Sequence, residues 1–535
     1  MPGLSTISLR RFALDPIQSA LAGLVAVALL GGLLFSALLG NLRILGLVLA
    51  GSAGLLLIAH PRWIWLLLLT LLPFSVEVKN LLGAGHNLVV PTEVLTPLAL
   101  GAAMLMVIRN GCLKWSTSPL HIAVGLYIAV QCLSLLTTQV PVVTLKALIR
   151  NLSAFMGGYV LTQMCVQSFE DLKWPFRLLA GSFVLITLYG LYTQFSEGIA
   201  IYQEIAAPFI GDHCIYAAFL SFPAAFLLSA VTQPVRQRWW ALGLLGLFAI
   251  AILASFVRGA WLGFLILMFY LLIHQRAALS FRYALILSLT VLIGLGGVLV
   301  FGLQALIQER WETLFDIRYV ANESRIDRWM AAISMWVSSP FYGVGLGCYP
   351  DLHYQHVYYA RSFEAEQHMG AHNLYLEILA ELGIIGLFAF QLLIVAFLIE
   401  TRRIYRLGVD SPEIRAFSLG LEGMMLVYLV HVLVNNLGPS DKIDICFWTL
   451  CGLAPSVRCG LQWLLIQNKQ KEPLHDPSRS SPSKSAPSFR PWPQQCSSPC
   501  SPGSVAPSSG ASRPGISGDH GWSEIHAAGG SPDEE

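Results

Sequence analysis

The stretch "GAHNLYLEILAELGIIG", residues 370–386, puts His372 and Asn373 directly before an apolar run. A neutral imidazole accepts a proton at ordinary pH, so a histidine at a polar–apolar boundary is a candidate general base. Asn373 is of a type favoured as a helix N-cap. The positive end of the helix that follows disfavours an imidazolium beside it. The same position also suits a polar residue that merely closes a helix end at a water interface, and position alone leaves both readings open. Arginines supply the complementary chemistry, because a guanidinium is a planar fork suited to bidentate phosphate binding. Arg258 lies in "ASFVRGAWLG", between two apolar runs. Arg325 and Arg328 precede an amphipathic stretch that holds Trp329, Met330, Ile333, Met335 and Trp336. Plainer roles compete here too. Arg258 can be a side chain snorkelling to an interface, and Arg325 can pair with Glu323 or Asp327. The "GVGLG" of residues 343–347 reads as a turn rather than as an anion nest. Asp212 and His213 in "FIGDHCIYAAFL", Lys146, Arg150, His431, Asn435 and Asn436 complete the polar candidates.

The elements that must position these residues are apolar. Of 535 residues, 55% are hydrophobic and 12% charged, and the mean hydropathy is +0.63. Soluble domains carry about 25% charged residues, so most of this chain's surface must face something other than water. Apolar windows fall near 19–39, 44–59, 63–76, 92–108, 119–137, 141–165, 176–195, 213–231, 239–256, 259–274, 281–304, 373–400, 416–436 and 443–466. Measured against the ~20 residues needed to cross a bilayer core, several of these windows are short or interrupted. The expected fold is therefore all-α, a polytopic membrane bundle of about 12–14 transmembrane helices with a large extracytoplasmic loop. With a cytoplasmic N-terminus, Arg10/Arg11, Arg62, Arg109/Lys114, Lys173, Arg236/Arg238, Arg276/Arg282 and Arg402/Arg403/Arg406/Arg415 all fall inside, as the positive-inside rule asks. Arg258 and the excursion at 305–371 then share the outside, and loops of that length are commonly functional.

The expected organisation is a transmembrane domain over 1–467 and a tail over 468–535. The tail is rich in Ser, Pro and Gly, a composition that reads as disordered and, in this topology, cytoplasmic. The net charge of +2 says nothing about nucleic acid, but no basic stretch is interleaved with aromatics as a nucleic-acid groove would need. Ten scattered cysteines, among them "CSSPC" near the end, give neither a disulfide framework nor zinc spacing. There is no Walker A string and no dinucleotide fingerprint, so no cofactor and no metal are expected.

Ordered along the chain, "FIGDHCIYAAFL", "VRGAWLG", "SRIDRWMAAISMWVSSPFYGVGLGCYPDL" and "GAHNLYLEILAELGIIGLFAF" resemble the O-antigen ligase / oligosaccharide polymerase superfamily. The likeness rests on Arg325 and Trp329, then Pro340, Gly343 and Gly345, then His372 and Asn373, then Glu381, Gly383 and Gly386. Arg258 and Gly259 match a further motif, in which Val257 replaces the usual serine. The resemblance covers roughly residues 200–400. It implies a metal-independent membrane glycosyltransferase at the outer face of the cytoplasmic membrane. Such an enzyme moves a glycan from a polyprenyl-diphosphate carrier to the hydroxyl of a glycan, lipid or protein acceptor. In this chain Arg258 and Arg325 would hold the donor diphosphate and His372 would serve the acceptor hydroxyl, with Asn373, Arg328, Asp212 and His213 in support. The alternatives are a repeat-unit polysaccharide polymerase of the same superfamily and a transporter resembling the bicarbonate-transporter-like relatives. A transporter should place its polar groups near mid-membrane, whereas these residues gather at one edge.

Overall fold

A computed structural model describes residues 61–78, 88–110, 118–197, 204–236, 238–274, 320–357, 362–435 and 440–471, with a few isolated positions besides. In chain order the helices are α1 (Pro61–Leu71), α2 (Thr92–Asn110), α3 (Pro119–Thr137), α4 (Pro141–Phe155), α5 (Leu161–Cys165), α6 (Lys173–Glu197), α7 (His213–Val231), α8 (Arg238–Ala254) and α9 (Arg258–His274). They continue with α10 (Val320–Ser338), the one-turn α11 (Tyr349–Leu352) and α12 (Phe363–Glu366), then α13 (Leu374–Leu407), α14 (Pro412–His431) and α15 (Asp441–Lys471). The protein is an all-α, multi-pass membrane bundle. Among the described residues, six helical segments are long and apolar enough to cross a bilayer: Pro119–Thr137, Phe169–Ser196, His213–Val231, Leu374–Leu407, Pro412–His431 and Asp441–Gln467. Shorter apolar helices cover Pro61–Phe74, Thr92–Ile108, Arg238–Ala254 and Arg258–Ile273. The expected spans at 19–39, 44–59 (apart from Gly51 and Gly54) and 281–304 lie outside the described residues, as does the tail from residue 472.

Local signals explain where these helices start. Pro119, Pro141 and Pro412 each occupy a first helical position, where a missing N–H costs nothing. Ser118, Asp212, Asn373 and Ser411 cap α3, α7, α13 and α14 with side-chain oxygens. The window at 141–165 is one run in which a π-turn, Met156–Val160, joins α4 to α5. The apolar windows did not foreshadow a short antiparallel hairpin pairing Val76–Val78 with Leu88–Val90. Helices α7 and α14 are the most enclosed of these spans, each buried over 72% of its apolar window, against 33% for the Phe169–Ser196 segment.

Two features decide what happens around His372. Helix α10 starts at Val320, so it contains Arg325 and Arg328 rather than following them. Helix α13 is interrupted at Gly383, whose φ of 65° and ψ of −168° leave the helical region. The segment after α10 docks into that break. Ile384 N donates to Pro340 O (2.9 Å), Val344 N to Ala380 O (3.0 Å) and Gly345 N to Glu381 O (3.0 Å). A Cβ on Gly383 would lie 2.3 Å from the Phe341 backbone, and one on Gly343 2.2 Å from that of Glu381. These two glycines are what permit the contact.

Candidate active site

His372 has a φ of 52° and thus stands in the left-handed region, uncommon for a residue other than glycine. Its neighbours on both sides are held. Asn373 Oδ1 accepts from Tyr375 N (3.0 Å) and Leu376 N (3.1 Å). The buried Glu377 carboxylate, one turn into α13, accepts from Ala371 N (3.0 Å). Burial, followed by the positive charges of Arg328 and Arg325, pushes the His372 imidazole down to about 4. Asp212 and Glu364 oppose that shift. The ring is therefore neutral at ordinary pH, and its Nδ1 is enclosed without a hydrogen-bond partner among the described residues.

Arg328 faces this histidine from α10. It is 7% exposed. Its Nη2 donates to Ser324 Oγ (2.7 Å) and lies 3.7 Å from Glu364 Oε1. Its Nε and Nη1 are buried and have no acceptor among the described residues. A guanidinium in that condition is suited to an anion that brings its own oxygens. Arg325, one turn earlier, also has its pKa lowered by burial, with Cys214 and Arg328 as its charged or ionisable neighbours. The side of α10 that carries Arg328 is fixed by a buried polar web. Tyr349 Oη donates to Arg328 O (2.7 Å), Ser362 Oγ donates to Asp327 Oδ2, and His353 Nε2 lies 3.5 Å from the same carboxylate oxygen. Asp327 therefore turns inward instead of serving a surface pair.

Asp212 and His213 reach the site from the start of α7. Asp212 Oδ1 accepts from Cys214 N (2.6 Å) and Ile215 N (3.4 Å), and it lies 3.8 Å from His213 Nδ1. Among the described residues, Asp212, His213 and Cys214 form a group able to offer three metal ligands, their atoms within 4.8 Å of one another. Arg258 begins α9 beside the end of α14. A Cβ on its neighbour Gly259 would lie 3.1 Å from His431 Cδ2 and 3.0 Å from Asn435 Nδ2. The next residue of that α14 end, Val432, accepts from Leu374 N (2.9 Å), at the first residue of α13. Arg258, Arg325, Arg328, Asp212, His213, His372 and Asn373 thus collect at one end of the bundle.

Residues 242–391 match the family model described as O-antigen ligase. That segment is an O-antigen ligase-like domain. None of the curated proteins compared with the chain matches it. The O-antigen ligase-like segment runs from within α8 to within α13 and contains Arg258, Arg325, Arg328, His372 and Asn373, whereas Asp212 and His213 precede it.

Within this O-antigen ligase-like domain the glycines serve architecture. Gly343, Gly345 and Gly347 all have positive φ. Their amides donate to Ser339 O, Glu381 O and Glu381 Oε2 respectively. The last two, with Tyr349 N on Glu381 Oε1 (3.0 Å), are spent on α13. The turn reading of "GVGLG" thus describes the geometry. Sequence reasoning missed Glu377, Glu364 and the Asp327–His353–Ser362 web, and it ranked Arg328 only as support. Glu377 had one available signal: it lies four residues after an N-cap asparagine, close enough to reach back over the loop. The web had none, because its members are far apart in sequence.

Proposed function

We propose that this protein is a metal-independent membrane glycosyltransferase. It transfers a glycan from a polyprenyl-diphosphate carrier to an acceptor hydroxyl, at the outer face of the cytoplasmic membrane, with its N-terminus and tail inside. The observation that carries the proposal is the pairing of a neutral His372 with the buried, under-satisfied Arg328 and with Arg325 beside it. In the proposed step the acceptor oxygen attacks the anomeric carbon and the bond from that carbon to the diphosphate oxygen breaks. The electron pair leaves with the diphosphate, and His372 takes the hydroxyl proton. One direct displacement inverts the anomeric centre. Arg258, Arg325 and Arg328 carry the charge that grows on the leaving group, a preorganised stabilisation that acts most strongly where water is excluded. Asp212 and His213 line the approach. The acceptor, whether glycan, lipid or protein, sets whether the outcome is ligation or polymerisation.

The test compares membranes holding equal amounts of wild type and His372→Ala, supplied with a polyprenyl-diphosphate-linked glycan and a candidate acceptor. The proposal expects transfer by wild type, unchanged when divalent cations are chelated, and none by the variant. Equal transfer by both would reduce His372 to a helix-end residue and sink the mechanism. Dependence on an added cation would instead draw attention to Asp212, His213 and Cys214.

A further inference from the structure

From Asp327 on, past the exposed Glu323 of its first turn, helix α10 has its polarity reversed for a helix standing in water. Its charged Asp327 and Arg328 are buried, at 1% and 7% exposure, while Met330, Ile333 and Val337 point outward at 39%, 36% and 67%. Those three positions follow helical spacing and make one face. The face continues past the helix end through Phe341 and Tyr342, exposed at 61% and 56%. Ser334, bonded to His356 (2.9 Å), and Ser338 are exposed among these side chains, so the face is predominantly apolar with a polar margin, and an exposed apolar patch of this kind marks an interaction site rather than ordinary scatter. What covers it follows from its surroundings. Pro340 O and Phe341 O accept from Ile384 N (2.9 Å) and Ile385 N (3.4 Å), so the stripe runs directly into the outward face of α13. There Ile384, Ile385 and Phe388 are exposed on a helix long and apolar enough to cross a membrane, where lipid is the solvent they require.

We propose that the outward face of α10, from Met330 to Tyr342, is seated in the bilayer at the boundary between headgroups and acyl chains, its partner being phospholipid. Interfacial helices of this kind bury their apolar side about 5–10 Å into that boundary. The seating explains why the charged side of α10 is turned toward the protein, and it leaves Arg325 and Arg328 at headgroup depth. The inference does not depend on glycan transfer, so it stands or falls separately from the proposed reaction.

The experiment places a benzophenone side chain at Val337, and separately at Ile333, in the otherwise unaltered full chain. Each protein is reconstituted in vesicles of phosphatidylethanolamine and phosphatidylglycerol and illuminated, and covalent phospholipid adducts are counted by mass. Phe388, on the outward face of α13, is the lipid-facing reference, and the exposed Gln355 is the polar one. The expected yields at Val337 and Ile333 match that at Phe388 and clearly exceed that at Gln355. Yields no higher than at Gln355 would place the face in water and overturn the proposal. Adducts joining two copies of the chain, or two segments of one copy, would overturn it as well, by showing that protein covers the stripe.

Discussion

His372 illustrates how much of a side chain's chemistry is set by its neighbours. Its left-handed backbone is held between Asn373, which caps α13, and Glu377, which takes the Ala371 amide. Glu377 is a positioning residue under the proposed mechanism. Glu377→Ala is expected to lower kcat for transfer on the order of 10²-fold, the scale of a misplaced reacting group, with KM little changed. Glu377→Gln, whose amide oxygen still accepts from Ala371 N, should retain most of the rate, and a loss confined to KM would count against the idea. The pH dependence follows from the direction of the His372 shift. Because burial, Arg328 and Arg325 lower its pKa to about 4, the neutral form persists at pH 6. Activity should fall only as pH drops through about 4, not through the ordinary histidine range. Asp212 and Glu364, the facing carboxylates, act in the opposite sense. Arg328→Gln removes a cation, so the acid limb of kcat/KM against pH should move upward, with KM for the donor rising at the same time. An acid limb that stays in place would separate Arg328 from the histidine.

At the scale of elements, the decisive feature is the broken α13 and the loop seated in the break. The spaced glycines of "GVGLG" and the Glu381–Gly383 pair were legible as motifs. That one motif fills a gap in the other was not, because the backbone amides that join them, donating to carbonyls of α13 and to the Glu381 carboxylate, meet their acceptors only on folding. Gly383→Ala forces a side chain into a backbone region nearly restricted to glycine and against the Phe341 carbonyl. Strain of this kind costs about 1–3 kcal/mol before the clash is counted. The expected result is a lower thermal midpoint and reduced abundance in membranes, measured on purified protein and by immunoblot. Ala380, on the same helix but buried with ordinary geometry, provides the comparison: Ala380→Gly should cost about 1 kcal/mol through helix propensity and about 0.8 kcal/mol through the lost buried methyl, with no backbone strain.

At the scale of the whole molecule, polar residues concentrate at two ends of the bundle with different purposes. The end opposite His372 is tied together by buried charges. Glu400 on α13 pairs with Arg458 of α15 and with Arg403 (3.4 Å), and Glu422 on α14 takes Tyr270 of α9, Thr401 (3.0 Å) and Arg402 (3.2 Å). Glu400 and Arg458 are 0% and 4% exposed, and removing one partner of a buried pair typically costs about 3–5 kcal/mol. Arg403 retains part of the attraction, so Arg458→Met should destabilise by on the order of 3 kcal/mol. Transfer per folded molecule should remain unchanged, because the reacting end is elsewhere. Denaturation midpoints combined with rates normalised to folded protein check this, and a rate loss without destabilisation would contradict it.

Composition and hydropathy by themselves determined that this protein is a helical membrane bundle. In lipid only helices and closed barrels satisfy the backbone, and long continuous apolar windows, rather than short alternating strands, read as helices. The Asn373 cap and the order of the Arg258, Arg325 and His372 motifs were equally legible, since each depends on residues close in the chain. Only the tertiary structure decided which arginine of α10 is buried with donors that find no acceptor among the described residues, which carboxylate braces the histidine, and that α10 turns Asp327 and Arg328 inward. Those properties belong to contacts between residues distant in sequence. Their energies come from burial, which a linear string does not contain.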